Sequence, residues 1–186
     1  MACIPPLDRR RKKNVNMHLK YLISQARHKW FVFVECCKLG VPWLGIIHDL
    51  SKFLPSEWVG YARYFYGNYP AWTEMGVYGR SYYYGPTKES VSRDFDVAWL
   101  HHQHRNKHHW QRWLLTLDSA RSDGKLFAVP MPDKYRREML ADWRGAGRAY
   151  GNPDTAGWYE ENKNQMQLHA DTRAWIERQL GDQCPV

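Results

Sequence analysis

Long apolar runs are missing from this sequence. The longest covers only Trp30 to Val34, far short of the roughly 18 residues a helix needs to cross a bilayer. No apolar segment follows the charged stretch Arg9-Arg10-Arg11-Lys12-Lys13, so the N-terminal residues are not expected to act as a secretory signal. Cysteine is scarce: Cys3, Cys36, Cys37 and Cys184 show no Cys-x-x-Cys spacing. Neighbours such as Cys36 and Cys37 seldom bridge, so the expectation is reduced thiols and a cytoplasmic protein. Strand signals are nearly absent and no period repeats, which argues against a sandwich, barrel or solenoid.

What is present is a helical pattern of one-domain length. A chain of 186 residues, 44% hydrophobic and 25% charged, can bury one good core but not two comfortable ones. The expected organisation is a basic N-terminal tail over residues 1–13 and a single helical domain over 14–186. Aromatic residues reach 15%, with 10 Trp and 12 Tyr, enough to build a core and also to line a pocket. The net charge of +8 implies an anionic partner, either a nucleotide phosphate or a nucleic acid. For the Arg9–Lys13 cluster alone, a solubilising tail is the simpler account.

Periodicity predicts a first long helix from about Asn14 to Leu39. Val15, Leu19, Leu22, Ala26, Trp30, Phe33 and Cys37 recur at steps of three and four, and Phe31, Val32 and Val34 make its second half apolar almost all round, so that half should be buried. Gly40 is a stop signal. Pro42 opens a second helix that carries Ile46-Ile47-His48-Asp49-Leu50 and ends near Lys52. A third starts near Pro55 or Ser56. Residues 67–86 are rich in Gly, Pro and Tyr and form either a candidate lid or a ring-packed surface loop. Further helices are expected from about Lys88 to Arg105, around Trp110 to Leu114, from Asp133 to about Tyr150, from Trp158 to Leu168, and from Thr172 to Leu180 with Asp171 as N-cap.

Chemistry concentrates in two places. The first is His48-Asp49 in an apolar helix, where burying a carboxylate beside an imidazole is costly without a compensating cation. Side chains of adjacent helical residues lie about 100 degrees apart, so both can still reach one ion. His28, on an apolar helix of its own, also needs a partner. The second is His101-His102-Gln103-His104-Arg105-Asn106-Lys107-His108-His109, five histidines in nine residues. If the helix continues, His102, Asn106 and His109 extend the face of Val91, Phe95 and Ala98, whereas His101, His104 and His108 fall on a more polar one. His102 and His109 are therefore expected inside. The plainer alternative is a solvated basic run.

The stretch from His28 through Leu39-Gly40 to His48-Asp49-Leu50-Ser51-Lys52 resembles the opening of the HD-domain superfamily. There a helix histidine is followed, past a glycine-ended helix, by an apolar run closing in His-Asp. The segments Trp30 to Lys38, His104 to Trp110 and Ala141 to Ala149 also look like an uncharacterised phage and bacterial group within or near it. The resemblance implies an all-α helical bundle in a bacterial or phage-infected cytoplasm, holding one or two divalent metal ions and most often hydrolysing nucleotide phosphates. Metal ligands would be His28, His48, Asp49 and an aspartate on a later helix. Asp142 is preferred because it shares a face with Tyr135, Met139, Ala146 and Ala149, with Asp118 second. Asp133 is explained as a first-turn carboxylate facing the helix dipole. A metal with open positions lowers the pKa of its water and stabilises charge on a phosphoryl oxygen. Imidazole and carboxylate donors suit Mn, Fe, Co, Ni and Zn alike.

Other roles follow from the same motifs. His102 and His109 complete a second metal site, or bind phosphate with Arg105 and Lys107 and protonate the leaving group. Lys52 is a candidate phosphate ligand or a surface residue. Glu57 is a candidate general base or a first-turn carboxylate. The leading expectation is a phosphohydrolase acting on a deoxynucleotide mono- or triphosphate or a related phosphate ester, with homodimerisation possible. Two others compete: a di-iron oxygenase acting on a small polar molecule, and a nucleic-acid-binding helical module without catalysis, not favoured because it leaves a buried His-Asp pair without purpose.

Overall fold

The computed structural model describes residues 9–69, 86–116 and 125–181, with side chains from residue 17 onward. The 67–86 segment falls largely outside the described residues, as does Asp118. The described chain is helical, as expected, with seven α-helices: α1 Arg9–Lys38, α2 Pro42–Ile47, α3 Pro55–Tyr66, α4 Lys88–Arg105, α5 Asp133–Tyr150, α6 Thr155–Asn162 and α7 Ala170–Gly181. Strands β1 Leu114–Thr116 and β2 Leu126–Ala128 pair antiparallel, Leu114 opposite Ala128 and Thr116 opposite Leu126. This ribbon replaces the helical stretch expected at Leu114. Only a 3-10 turn at Trp110–Trp113 precedes it, and three residues are too few to show an alternating pattern. Among the described residues no helix is long and apolar enough to cross a membrane.

The chain divides into two compact units, residues 1–25 with 52–101 and residues 26–51 with 102–186. In the first, Met17, Tyr21, Tyr61, Ala62 and Ala98 form the core, with Trp58, Tyr66, Phe95 and Trp99 packed on it. Gly60 lets α3 approach α4 closely, since a Cβ there would sit 2.7 Å from that of Ala98. The Trp58 indole donates to His18 Nδ1 at 2.9 Å, which satisfies its only polar atom.

The second unit has the larger core. Met131, Met139, Leu140, Tyr159, Met166, Trp175, Ile176 and Leu180 are buried together. Each such side chain contributes about 1.5–3 kcal/mol. Beside them Val32, Cys36 and Ala141 pack α1 against α5. Gly145 makes this contact tight: a Cβ on it would lie 2.6 Å from Val32 Cγ2 and 2.7 Å from the Val32 nitrogen.

α1 does not bury the face its apolar residues suggest. The buried stripe is Met17, Tyr21, Gln25, His28, Val32, Glu35 and Cys36, again at helical spacing. Leu19, Leu22 and Trp30 on the expected face are 53%, 44% and 61% exposed. Two polar members of the inner stripe, Glu35 and His28, are engaged. Glu35 accepts from Arg148 Nη1 at 2.6 Å and from Lys38 Nζ at 2.7 Å, and His28 belongs to the cluster described below. Binary patterning ranks such residues as outward-facing and so selects the wrong side.

Candidate metal centre

Residues on or next to four helices converge on one buried cluster in the second unit. α1 contributes His28. α2 ends at Ile47, earlier than expected, so His48-Asp49 is not inside a helix: His48 is its C-cap and Asp49 adopts a left-handed backbone with φ 55°. Asp is among the few residues that tolerate this region. The Lys29 ammonium donates to the His48 and Ile46 carbonyls, capping the helix end whose own partners are lost. The reversal at Asp49, rather than the 100-degree offset of a helix, brings both side chains to the same point.

α4 ends at Arg105, and Asn106 closes it by donating its amide Nδ2 to the His102 carbonyl at 2.9 Å. The chain turns there, with His109 N donating to the Asn106 carbonyl at 3.4 Å. Facing therefore departs from the helical expectation. His102 and His108 are fully buried, 0% and 1% exposed. His109 is half-buried and His104 exposed. α5 contributes Asp142, on the inward face as expected, and Glu138 four residues earlier.

The distances describe two adjoining nests. His28 Nε2 lies 3.5 Å from Asp49 Oδ2 and 3.2 Å from Asp142 Oδ1. His48 Nε2 lies 3.4 Å from each of the same two oxygens. On the other side of Asp49, Oδ1 lies 3.2 Å from His102 Nε2 and 3.4 Å from His108 Nε2. Asp142 Oδ2 is 3.9 Å from His108 Nε2. Donor atoms held about 2.1 Å from one tetrahedral or octahedral ion are about 3.0–3.4 Å apart, so the spacing fits cations. The Nε2 atoms of His28, His48 and His108 are buried and make no hydrogen bond, although carboxylate oxygens stand close. Nitrogens aimed past a carboxylate rather than at it leave their lone pairs available to a metal ion. Three groups could hold a metal: His28, His48 and Asp49; His48, His108 and Asp142; and Asp49, His102, His108 and His109.

The outer nitrogens of His48, His108 and His102 are anchored. His48 Nδ1 and His108 Nδ1 lie 3.2 and 3.3 Å from the same Glu138 Oε1. Ser51 Oγ is 3.3 Å from His102 Nδ1, and the Asn106 amide nitrogen, 2.9 Å from that ring atom, also donates to Ser51 Oγ at 2.7 Å. Charge is tuned to match. Burial pushes the His48 imidazole down, but the Asp49, Asp142 and Glu138 carboxylates outweigh it and raise its pKa well above the ordinary value. Burial likewise opposes ionisation of Asp142 and Glu138, yet His28 and His48 hold Asp142 well below its usual range, and His108 and His48 lower Glu138. Burial, then the neighbouring His108 and His102, drives the His109 imidazole well below its ordinary value, so it is neutral.

The structure thus brings His28, His48, Asp49, His102 and Asp142 together, with His109 at the margin. Sequence reasoning missed His108 and Glu138. The i, i+4 relation of Glu138 to Asp142 carried the signal for the second, and only the helix stop at Asn106 carried it for the first. Arg105 and Lys107 are exposed, with the Lys107 ammonium 5.5 Å from the centre of the Tyr135 ring. Lys52 and Glu57 belong to the first unit. There the Lys52 ammonium lies 5.4 Å from the centre of the Tyr61 ring, and Glu57 is buried in the first turn of α3. Asp133 opens α5 paired with Arg136 and Arg137. Further along α5, a cavity of about 280 Å³ is lined by Trp143, Ala146, Gly147, Tyr150, Asn152, Thr155 and Trp158. The Tyr150 ring stacks on His28 at 6.2 Å with planes 10° apart.

Fold and site together define a class: a helical protein with a buried histidine–aspartate centre able to hold metal. Residues 17–182 match the family of unknown function DUF5662, and the chain belongs to that family. No curated protein and no solved structure matches it.

Proposed function

We propose that this chain is a metal-dependent phosphohydrolase with a two-ion centre, acting on a nucleotide or a related phosphate ester. The observation that carries the reading is Asp49, whose two carboxylate oxygens face two separate sets of imidazole nitrogens. A carboxylate so placed would serve both of two cations, one oxygen to each. His28, His48 and Asp142 would hold one ion with it, and His102, His108 and His109 the other. Divalent ions here would supply Lewis acidity and a water of lowered pKa. The donor set is nitrogen and oxygen only, which suits Mn, Fe, Co, Ni or Zn.

The remaining work falls to the chain's own groups. His109, being neutral, is better placed to offer a lone pair than to protonate a leaving group. Arg105 and Lys107 add positive charge at the exposed end of α4 and the turn after it, drawing a phosphate inward. The aromatic cavity along α5 offers room for the organic part of an ester, its lining beginning at Trp143, the residue after Asp142.

The first test is metal analysis of the purified protein beside His48→Ala and Asp49→Asn. About two equivalents of transition metal in the wild type, lost or halved in the variants, are expected. Phosphate release from a panel of nucleotides and simple phosphate esters follows on the loaded protein. A wild type that binds no metal under any loading condition sinks the proposal. The same bridging carboxylate and histidine-rich donors would also suit di-iron oxidation of a small polar molecule. Oxygen uptake without phosphate release would establish that second reading over the first.

A further inference from the structure

Glu138 is the one carboxylate of the cluster that faces away from the nests. It is 5% exposed, and its Oε1 alone stands within hydrogen-bonding reach of two imidazoles, His48 Nδ1 at 3.2 Å and His108 Nδ1 at 3.3 Å. Those rings come from different elements, the end of α2 and the turn after α4. Their other nitrogens face different oxygens of Asp49: His48 Nε2 looks to Oδ2 and His108 Nε2 to Oδ1. The two ring centroids are 4.4 Å apart, so the rings pack against each other.

We propose that Glu138 is a positioning residue that holds His48 and His108 as Nδ1–H tautomers and thereby links the two ion sites. An imidazole offers a lone pair at Nε2 only when its proton is on Nδ1, and a carboxylate acceptor on the far side fixes that choice. Because one oxygen accepts from a ring of each nest, loss of this acceptor loosens both at once. Ser51 serves His102 separately, so that ring marks what Glu138 does not control. The tautomer claim stands on the hydrogen bonds alone. The linkage claim rests on the two-ion reading above.

The test compares wild type with Glu138→Gln, which keeps an oxygen acceptor, and with Glu138→Ala and Glu138→Met, which do not. Methionine fills most of the glutamate volume, so the comparison survives if the alanine variant does not fold. Long-range proton–nitrogen correlation of the histidines, in metal-free protein at a pH where each ring shows a single N–H, reads the tautomers directly. Wild type and Glu138→Gln are expected to show Nδ1–H at His48 and His108. Glu138→Ala and Glu138→Met are expected to lose it at both while His102 is unchanged. Zinc titration by calorimetry should then show both binding events weakened about ten- to hundredfold in the acceptor-free variants. Retention of both tautomers in Glu138→Met overturns the proposal. Loss at one ring only, or weakening of a single zinc event, overturns the linkage. A wild type with the expected tautomers but no zinc binding would discard the metal centre and leave the positioning role standing.

Discussion

Replacing Gly145 by alanine probes the step that sets His28 against Asp142. Gly145 lies three residues beyond Asp142 on α5, and Val32 lies four beyond His28 on α1. A Cβ at 145 would stand 2.6 Å from Val32 Cγ2 and 2.7 and 2.8 Å from the Val32 nitrogen and Cα. Two of those atoms are backbone, so a rotamer change does not relieve the clash. Restoring 3.4 Å from 2.6 Å requires the helices to part by about 0.8 Å. Overpacking of this kind costs about 1–3 kcal/mol, and the better helix propensity of alanine returns up to about 1 kcal/mol. With the full propensity gain the expected net loss is up to about 2 kcal/mol, read as a lower denaturant midpoint at unchanged slope. The same displacement would open the 3.2 Å His28–Asp142 separation past the spacing that one ion bridges. Weaker metal binding should therefore accompany the stability loss. Gly181→Ala, at a position with nothing within 4 Å of a new Cβ, is the control for propensity alone. A Gly145→Ala protein as stable as wild type, with unaltered zinc affinity, would refute this reasoning.

Two further expectations follow. The Cys36 thiol is buried and pushed up to about 12, by burial first and then by the Glu138 and Asp142 charges. Iodoacetamide at pH 8 should therefore modify exposed Cys37 and spare Cys36 in folded protein, as peptide mass mapping would show; equal labelling would contradict the packing of α1 on α5. For the exposed Asp133, burial raises the carboxyl but Arg136 and Arg137 together outweigh it, and its pKa falls below the ordinary 3.8. Its contribution is thus present at neutral pH and lost as pH falls through the folded value. Asp133→Asn should cost less than about 1 kcal/mol at pH 7 and nothing at strongly acid pH; a gap that widened on acidification would have the wrong sign.

Much of the architecture was legible because helix punctuation is local. Gly40 and Gly151, both with positive φ, and prolines at the starts of α2 and α3 are chain signals that tertiary packing did not overrule. The inner face of α1 was not legible, because hydrophobic periodicity cannot know that His28 and Glu35 find partners. The same limit applies at the histidine run. Extending α4 by periodicity aims His109 inward, whereas the Asn106 side chain stops the helix and the following turn sends His108 in instead. His28, His48, Asp49 and Asp142 were found since a charged or imidazole group on an otherwise apolar face needs compensation wherever it lands. Glu138 fell outside that test because its surroundings on α5, Arg136 and Arg137 among them, read as a solvated stretch.

The left-handed backbone at Asp49 makes this one position answer to two requirements that are usually met by different residues. Glycine and asparagine satisfy the conformation without supplying charge, and glutamate supplies charge on a stem that the conformation disfavours. Aspartate alone does both, so an accepted change here would have to sacrifice either the turn or the anion. For the experimenter this separates two kinds of lesion. Asp49→Asn deletes the charge on an intact scaffold, Asp49→Ala strains the turn as well, and the difference between them measures how much of the centre is held by the shape of the chain rather than by the ions it binds.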